Sequence, residues 1–169
     1  MHWLARRNLP LPAQADNIPA LFRDEQHVPI GLFDDDVLIG CLFHDRRSGL
    51  SHWGSKGAGS NLFLRQLHTL PDRPDDAVRL ITLWASDYAA RSGLPHVRAE
   101  APADHRNADW LARLLRRVTD MGWQMRGLGH GETDERVVQL ELRAEARPGL
   151  TPLIRCAIAV PPGDDGGTL

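Results

Sequence analysis

Apolar and polar positions follow two patterns along the chain, one with the period of strands and one with the period of helices. The apolar runs 28–33 and 37–43 are separated by three aspartates at 34–36, and this spacing predicts a β-hairpin with an acidic turn. The run 61–70 ends before a proline and predicts a third strand. Between these strands, 45–60 is rich in glycine, which favours a flexible connection.

Two later segments have helical periodicity. In the first, apolar residues recur at i, i+4, i+7 and i+11, namely Ala77, Ile81, Trp84 and Tyr88. The second begins at Asn107 and has apolar residues at i, i+3, i+4 and i+7, namely Leu111, Leu114, Leu115 and Val118. Short strands are predicted at 96–101, 123–128 and 136–144.

The order of elements is three strands, a helix, a strand, a helix and two strands. This order predicts an α/β (α+β) fold, with a mixed, mostly antiparallel sheet and helices on both faces. We expect four segments: an N-terminal arm and short helix at 1–27, a core at 28–145, a strand-like extension at 146–160 and a tail at 161–169. The apolar stretch of the extension is a candidate edge strand for pairing with a second copy, which would form a homodimer.

The composition is that of an ordinary soluble domain. The chain has 169 residues, 42% of them hydrophobic and 25% charged, which is enough to bury one core. Its formal net charge of −2 provides no basic surface for nucleic acid or for a membrane. No signal peptide and no stretch of ~20 apolar residues is recognisable. Cys41 and Cys156 are expected as buried free thiols, and the protein is expected to be cytoplasmic.

Several kinds of site are not expected. The histidines and acidic residues lack the spacing of zinc ligands, so no metal is predicted, and the aspartates at 34–36 are interpreted as a solvated hairpin tip. The glycine-rich run 54–60 lacks the order of a Walker loop, and no Gly-x-Ser-x-Gly elbow occurs. The polar side chains of the central strands therefore remain as the candidates for chemistry.

The central part of the chain matches a known family in the order and spacing of its residues. A strand Phe-Leu-Arg-Gln-Leu-His-Thr at 63–69 is followed by a helix containing Leu-Trp-Ala-Ser-Asp-Tyr-Ala at 83–89. A turn and strand, Gly-Leu-Pro-His-Val-Arg-Ala-Glu at 93–100, precede Asn107 and Met-Gly-Trp at 121–123. Together these segments resemble the core of the GNAT superfamily of N-acetyltransferases.

The resemblance extends over 28–145 and implies transfer of an acyl group from a thioester, of CoA or of a carrier protein, to an amine of a small molecule. Two departures favour an alternative, a non-acetylating protein of this fold that binds, regulates or catalyses another reaction in the same cleft. The family holds the CoA pyrophosphate with a glycine-rich turn, whereas 70–77 has no glycine, two prolines and three carboxylates. The position of the family's catalytic tyrosine is occupied by Val118.

The resemblance places the candidate site on two central strands. Glu100 and His68 are the candidate general bases, since each can take a proton from an amine through a water molecule. The residues expected beside the thioester donor are Leu67, Thr69, Arg73 and Asn107, and those expected in the substrate cleft are Arg65 and Gln66. On an unbroken strand, Gln66 and His68 share one face and Arg65 lies on the other. Alternative interpretations have the hydrogen bonds of His68 satisfied in the core or in the cleft, or pair Glu100 with an arginine such as Arg98.

Overall fold

The computed structural model of the chain describes residues 28–34, 37–47, 49–69, 74–103 and 108–150. The short helix expected within 1–27, the apolar stretch expected to form an edge strand, and the tail all lie outside these ranges. Within the described ranges, no helix is long and apolar enough to span a membrane.

The predicted hairpin is present. β1 (Val28–Asp34) and β2 (Val37–Arg47) pair antiparallel, and β2 continues beyond its predicted end at residue 43. β3 (Asn61–Thr69) runs antiparallel to β2 on its other side. The stretch from Leu42 to Asp45 is buried on both faces of the sheet, which makes β2 an interior strand.

Both predicted helices are confirmed. α1 (Pro74–Arg91) connects β3 to β4 (His96–Pro102), and α2 (Ala108–Asp120) connects β4 to β5 (Gln124–His130). β6 (Arg136–Arg143) follows β5 after a tight turn. Each helix has at least one acidic residue in its first turn and an arginine in its last turn, which complements the helix dipole.

The described strands form one sheet in the order β1-β2-β3-β4-β6-β5. β3 and β4 are parallel to each other, and every other neighbouring pair is antiparallel. A parallel connection needs a crossover, and α1 supplies it. The prediction of a mixed, mostly antiparallel sheet is confirmed.

α1 and α2 pack on one face of the sheet, called here the helix face, and bury the main core there. The helices contribute Val78, Ile81, Trp84 and Val118 to this buried cluster, and the strands contribute Leu42, Leu62, Leu64, Val97, Val138, Leu140 and Leu142. The indole N–H of Trp123 donates to Thr82 Oγ1 at 3.1 Å, so the segment after α2 is tied to α1. The apolar stripe predicted for α1 is therefore its buried side.

The opposite face of the sheet is contacted by a 3-10 helix at Ser51–Gly57. This helix corrects the expectation of a flexible connection at 45–60. Its Trp53 is buried with Leu50 and Phe63 in a second, smaller apolar cluster. Counting the 3-10 helix, the sheet carries helices on both faces, as predicted.

β3 and β4 pair over only part of their length. Their parallel register runs from Asn61 opposite His96 to Leu64 opposite Ala99. Beyond this point, each strand continues only with its other neighbour, β2 or β6. The two halves of the sheet, β1-β2-β3 and β4-β6-β5, therefore part at this end, and the gap between them is called here the β3–β4 cleft.

A β-bulge lies on β3 beside this cleft. Arg65 pairs with Phe43 and His68 pairs with Cys41, so two residues of β3 lie opposite one residue of β2. Gln66, the first of the two, has a φ of +50°. Because the paired residues of β2 lie on one face, Arg65 and His68 share a face of β3. This corrects the expectation from strict alternation, which places Gln66 with His68.

Candidate active site beside the β3–β4 cleft

Glu100 lies on β4 directly after the last residue that pairs with β3. Its Oε1 is bonded by His52 Nε2 and by Trp53 Nε1, both at 2.6 Å. Both partners belong to the 3-10 helix, and the Glu100 side chain is only 12% exposed. A largely buried carboxylate is thus held at the cleft by two ring nitrogens.

The direction of these hydrogen bonds follows from the chemistry of the groups. An indole nitrogen can only donate, and an ionised carboxylate can only accept. His52 therefore carries a proton on Nε2 whenever Glu100 is ionised. Among the described residues, Oε2 of Glu100 has no hydrogen-bond partner, so this oxygen is the one available to a ligand.

Arg98 ties the 3-10 helix to the sheet. Its guanidinium donates to Glu141 Oε2 at 2.9 Å and to the carbonyl oxygen of Gly57 at 2.8 Å. Its Cζ lies 5.5 Å from the centre of the Trp53 ring. These partners compensate a charge that is almost fully buried. The alternative pairing of Glu100 with Arg98 is therefore wrong, because Glu141 is the carboxylate that Arg98 binds.

The polar site continues across β6 to β5. Gln139 is buried and lies directly opposite Glu100 in the β4–β6 register. A Cβ at Gly129 of β5 would collide with the side-chain amide of Gln139, so glycine leaves room for that amide. On the same strand, the carbonyl of Arg126 accepts a hydrogen bond from Lys56 Nζ of the 3-10 helix at 2.8 Å. β5 therefore contacts the site in two ways: Gly129 leaves room for Gln139, and Arg126 binds the 3-10 helix.

The second candidate base, His68, lies on the other side of the cleft. It follows the bulge of β3 and pairs with Cys41, a free and partly buried cysteine. Burial lowers the pKa of His68 and raises the pKa of the Cys41 thiol, so both groups favour their neutral forms. No hydrogen bond joins His68 to Glu100 among the described residues. The structure thus places the two candidates on opposite halves of the sheet.

The residues expected beside the thioester donor are only partly described. Leu67 is 40% exposed, and Thr69 pairs with Gly40 of β2. Arg73 and Asn107 lie outside the described residues. A donor site along this end of β3 therefore remains a prediction.

Arg65, expected in the substrate cleft, takes part in a cluster of charges. Its guanidinium pairs with Glu132 of the β5–β6 turn and lies 3.6 Å from Asp45. Arg47 also approaches Glu132, at 3.3 Å. Glu132 therefore bridges the two halves of the sheet, and a substrate that binds Arg65 must compete with two carboxylates.

The segment 70–77, which the sequence resemblance predicts to lack the usual turn, is described only from the start of α1 onward. Residues 70–73 lie outside the described ranges, while Asp75 and Asp76 are exposed in the first turn of α1. Asp75 pairs with Arg117 of α2 at 2.7 Å. Val118 is 5% exposed and belongs to the core. Its side chain packs there and has no proton to donate.

Among the described side chains, no group of three or more histidine, cysteine, aspartate or glutamate residues lies close enough together to hold a metal ion. Asp34, at the end of β1, is exposed, and 35–36 lies outside the described residues.

Two residues of the site, His52 and Trp53, are absent from the sequence prediction. They lie in the glycine-rich segment interpreted as a connection, where no periodicity identifies them. One signal was available, because a tryptophan within a glycine-rich segment must bury a large apolar ring somewhere. The contact of Trp53 with Phe63 and Arg98 is where that ring is buried.

With this geometry in place, the chain can be compared with known proteins. No protein-family model matches it, and no curated protein matches its sequence. Solved structures of many GNAT acetyltransferases match it over most of its length. The described core therefore has the GNAT fold, with a mixed six-stranded sheet.

Three structures illustrate the similarity. The aminoglycoside 6'-N-acetyltransferase from Enterococcus faecium is 14% identical, with a TM-score of 0.53, over 86% of this chain and 89% of that chain. The aminoglycoside N(6')-acetyltransferase from Legionella pneumophila is 9% identical, with a TM-score of 0.57, over 79% and 77%. A Bacillus subtilis acetyltransferase in complex with CoA is 12% identical, with a TM-score of 0.53, over 78% and 84%. At these identities the similarity establishes the fold.

Proposed function

We propose that this protein is an N-acyltransferase that moves an acyl group from a thioester to an amine of a small molecule, with Glu100 as the general base. The observation that carries this proposal is the Glu100 carboxylate, which has one oxygen bound by two ring N–H donors and the other available at the β3–β4 cleft. A carboxylate restrained in this way can accept a proton in a defined position. The acetyltransferases that share the fold support the reaction class.

The reaction has one bond-forming and one bond-breaking event. The amine nitrogen attacks the carbonyl carbon of the thioester, the C–N bond forms, and the C–S bond breaks. The nitrogen loses a proton to Glu100 Oε2, directly or through a water molecule. The sulfur leaves as a thiolate and takes its proton from water, because Val118 occupies the position of the family's acid. Holding both substrates together in the cleft supplies much of the rate.

The donor is the thioester of CoA or of a carrier protein. The Bacillus subtilis neighbour binds CoA, which supports a pantetheine arm beside β3. The carboxylates at the start of α1 oppose a pyrophosphate at that helix end, since each like charge within ~6 Å costs about 1–3 kcal/mol. Arg117 offsets one of them through its ion pair with Asp75. A carrier-bound donor would have no pyrophosphate to place there.

A second candidate function is binding without acyl transfer. The buried, apolar Val118 favours it, because the thiolate then lacks a protein acid. Such a protein would use the same cleft for a ligand but release it unchanged. Turnover distinguishes the two functions directly.

The proposal predicts that Glu100→Gln abolishes most of the turnover while the fold is kept. Purified protein is incubated with acetyl-CoA, a longer acyl-CoA and an acylated carrier protein, each with a panel of small amines, and thiol release is followed. Loss of the base should lower kcat by about 10²–10⁴-fold. The matched control is Glu145→Gln, because Glu145 is an exposed carboxylate that pairs with Arg147 at the surface.

Both variants are checked for a cooperative thermal transition. If wild-type protein releases no thiol with any donor and amine, acyl transfer is wrong and the binding function takes its place. If Glu100→Gln turns over like the wild type, the reaction stands and the assignment of the base is wrong.

A further inference from the structure

His52 joins the 3-10 helix to a carboxylate of the sheet, because its Nε2 bonds Glu100 of β4 at 2.6 Å. Burial raises the pKa of Glu135, at the end of the β5–β6 turn, but hydrogen bonds from Thr133 and, to a smaller extent, the charge of His52 lower it. The ring of His52 also meets Phe63 edge-on, with centroids 6.4 Å apart. The ring is therefore oriented by its bond to Glu100 and by its contact with Phe63.

The His52 side chain is 17% exposed, so it is packed into the site without being sealed off. His52 does more than pack against its neighbours, because its Nε2 lies 2.6 Å from Oε1 of Glu100, the carboxylate beside the cleft. Trp53, its neighbour, is fixed separately by Arg98 and Phe63. The 3-10 helix thus presents two ring nitrogens, of His52 and Trp53, to one oxygen of Glu100.

We propose that His52 is a positioning residue of this site, whose Nε2–H holds Oε1 of Glu100 so that Oε2 receives the proton of the amine. This inference rests on the proposed function, because it assigns His52 a role in the same proton transfer. His52 contacts Glu100 and acts through it, and it stays outside the bond-forming step. A carboxylate that loses one of its two donors keeps its place on β4 but rotates more freely and is less stabilised as an anion.

The charged groups around His52 come from four elements. Glu100 approaches from β4, Glu135 from the β5–β6 turn, and Lys56 lies on the same 3-10 helix and is held by β5. Arg98 lies over the ring of Trp53, and its charge is bound by Glu141 of β6. Replacement of His52 therefore removes a donor from Glu100, while Arg98 and Lys56 keep their own partners, Glu141 and the carbonyl of Arg126.

The test compares His52→Leu, which removes the donor, with His52→Gln, which keeps an N–H group near the position of Nε2. We expect His52→Leu to lower kcat by about tenfold to hundredfold, with the KM of the thioester donor unchanged. Its acid limb in the pH–rate profile should move to higher pH, because the carboxylate anion has lost a donor. His52→Gln should recover most of the turnover.

A matched control is His130→Leu, because His130 is an exposed histidine at the end of β5 that pairs with Asp134. A structural role alone would lower the thermal transition of His52→Leu but leave the acid limb in place. If His52→Leu keeps kcat within twofold of the wild type, with the same acid limb, while Glu100→Gln is inactive, the positioning role is wrong and the proposed function stands.

A measurement independent of turnover separates this inference from the proposed function. Nitrogen-15 spectra of the histidine rings should show His52 with a proton on Nε2, and this pattern should change in Glu100→Gln. If the wild type has no turnover with any donor and this pattern is present, His52 still holds the carboxylate, now of a binding site. If His52 carries its proton only on Nδ1, the inference is overturned whatever the activity.

Discussion

At the scale of single residues, His44 is a buried titratable group outside the candidate site. It lies on the helix face of β2, with its ring 6.0 Å from that of Trp84 and 5.4 Å from that of Tyr88. Its Nδ1 is buried and has no hydrogen-bond partner among the residues that the structure describes. Burial lowers the pKa of His44, Asp45 opposes this shift, and Arg46 adds to it. The native state therefore binds a proton at His44 less readily than the unfolded chain does.

This difference predicts how stability depends on pH. A lowered pKa in the folded state means that the contribution of His44 is fully present above its usual value of 6.5 and is lost as the pH falls below it. His68, whose pKa is also lowered by burial, acts in the same direction. The free energy of unfolding should fall by up to about 1.4 kcal/mol per pH unit for each group.

Urea unfolding measured between about pH 5 and about pH 8 checks this dependence. His44→Leu should flatten the slope, because one of the two groups is gone. An unchanged slope in that variant would show that His44 is not responsible.

At the scale of elements, the 3-10 helix determines the geometry of the site. The amide of Leu50 donates to the carbonyl of Gly57 at 2.9 Å, which closes this segment, and the same carbonyl accepts from Arg98. A Cβ at Gly57 would collide with the backbone of Leu50. A close approach of two backbone segments therefore requires glycine at this position.

Gly57→Ala should consequently displace the 3-10 helix and release both donors from Glu100. We expect it to lower the free energy of unfolding by about 1–3 kcal/mol and to lower kcat at least as much as His52→Leu does. Ser55→Ala, an exposed position of the same helix, is the control. Wild-type stability and turnover in Gly57→Ala would contradict this dependence on the 3-10 helix.

The elements also show how far sequence patterns predict this fold. The helices and strands of the core follow from apolar periodicity, because each buries one stripe or one alternating set of residues, as in the predicted stripe residues Ala77, Ile81 and Trp84 on α1. Apolar periodicity does not predict the bulge at Gln66, because one extra residue leaves the apolar run of β3 unbroken. The extra residue nevertheless moves the residues after it to the opposite face of the sheet. Apolar periodicity does not predict the 3-10 helix either, because its position depends on Arg98, a residue distant in sequence.

The candidate site divides in the same way. The position of Glu100 on β4 beside a cleft follows from the order of elements and from the family resemblance. The hydrogen-bond partners of Glu100 do not follow from the sequence, because the arginine nearest in sequence, Arg98, binds Glu141 and not Glu100. Contacts between segments distant in sequence determine that Arg98 binds Glu141 and that Glu100 binds His52 and Trp53.

At the scale of the whole molecule, two halves of a sheet meet along a short parallel register. The pairs from Asn61 with His96 to Leu64 with Ala99 join them, and Glu132 bridges them through Arg47 and Arg65. A ligand that enters the β3–β4 cleft would contact both halves and bind only when they are correctly placed. Binding to the native state alone stabilises it by mass action.

The proposed function therefore predicts a higher thermal transition in the presence of the acyl donor. At 100 times its dissociation constant, a donor adds about 2.7 kcal/mol, which corresponds to roughly 5–10 °C for a chain of this size. Scanning fluorimetry with acetyl-CoA, a longer acyl-CoA and an acylated carrier protein measures the shift. A shift with the carrier alone would identify a carrier-bound donor, and no shift with any of them would contradict the cleft as a donor site.

The position of Lys56, whose Nζ donates to the carbonyl of Arg126, determines where the protein can be labelled chemically. Lys56 is the single lysine of the chain, so an amine-reactive thioester, dye or cross-linker finds one side chain to modify. Lys56 is exposed, so such a reagent reaches it in the folded protein, and acylation of Nζ would replace the ammonium donor with an amide beside the carbonyl of Arg126. A side-chain label would therefore mark one defined position, where the 3-10 helix is bonded to β5.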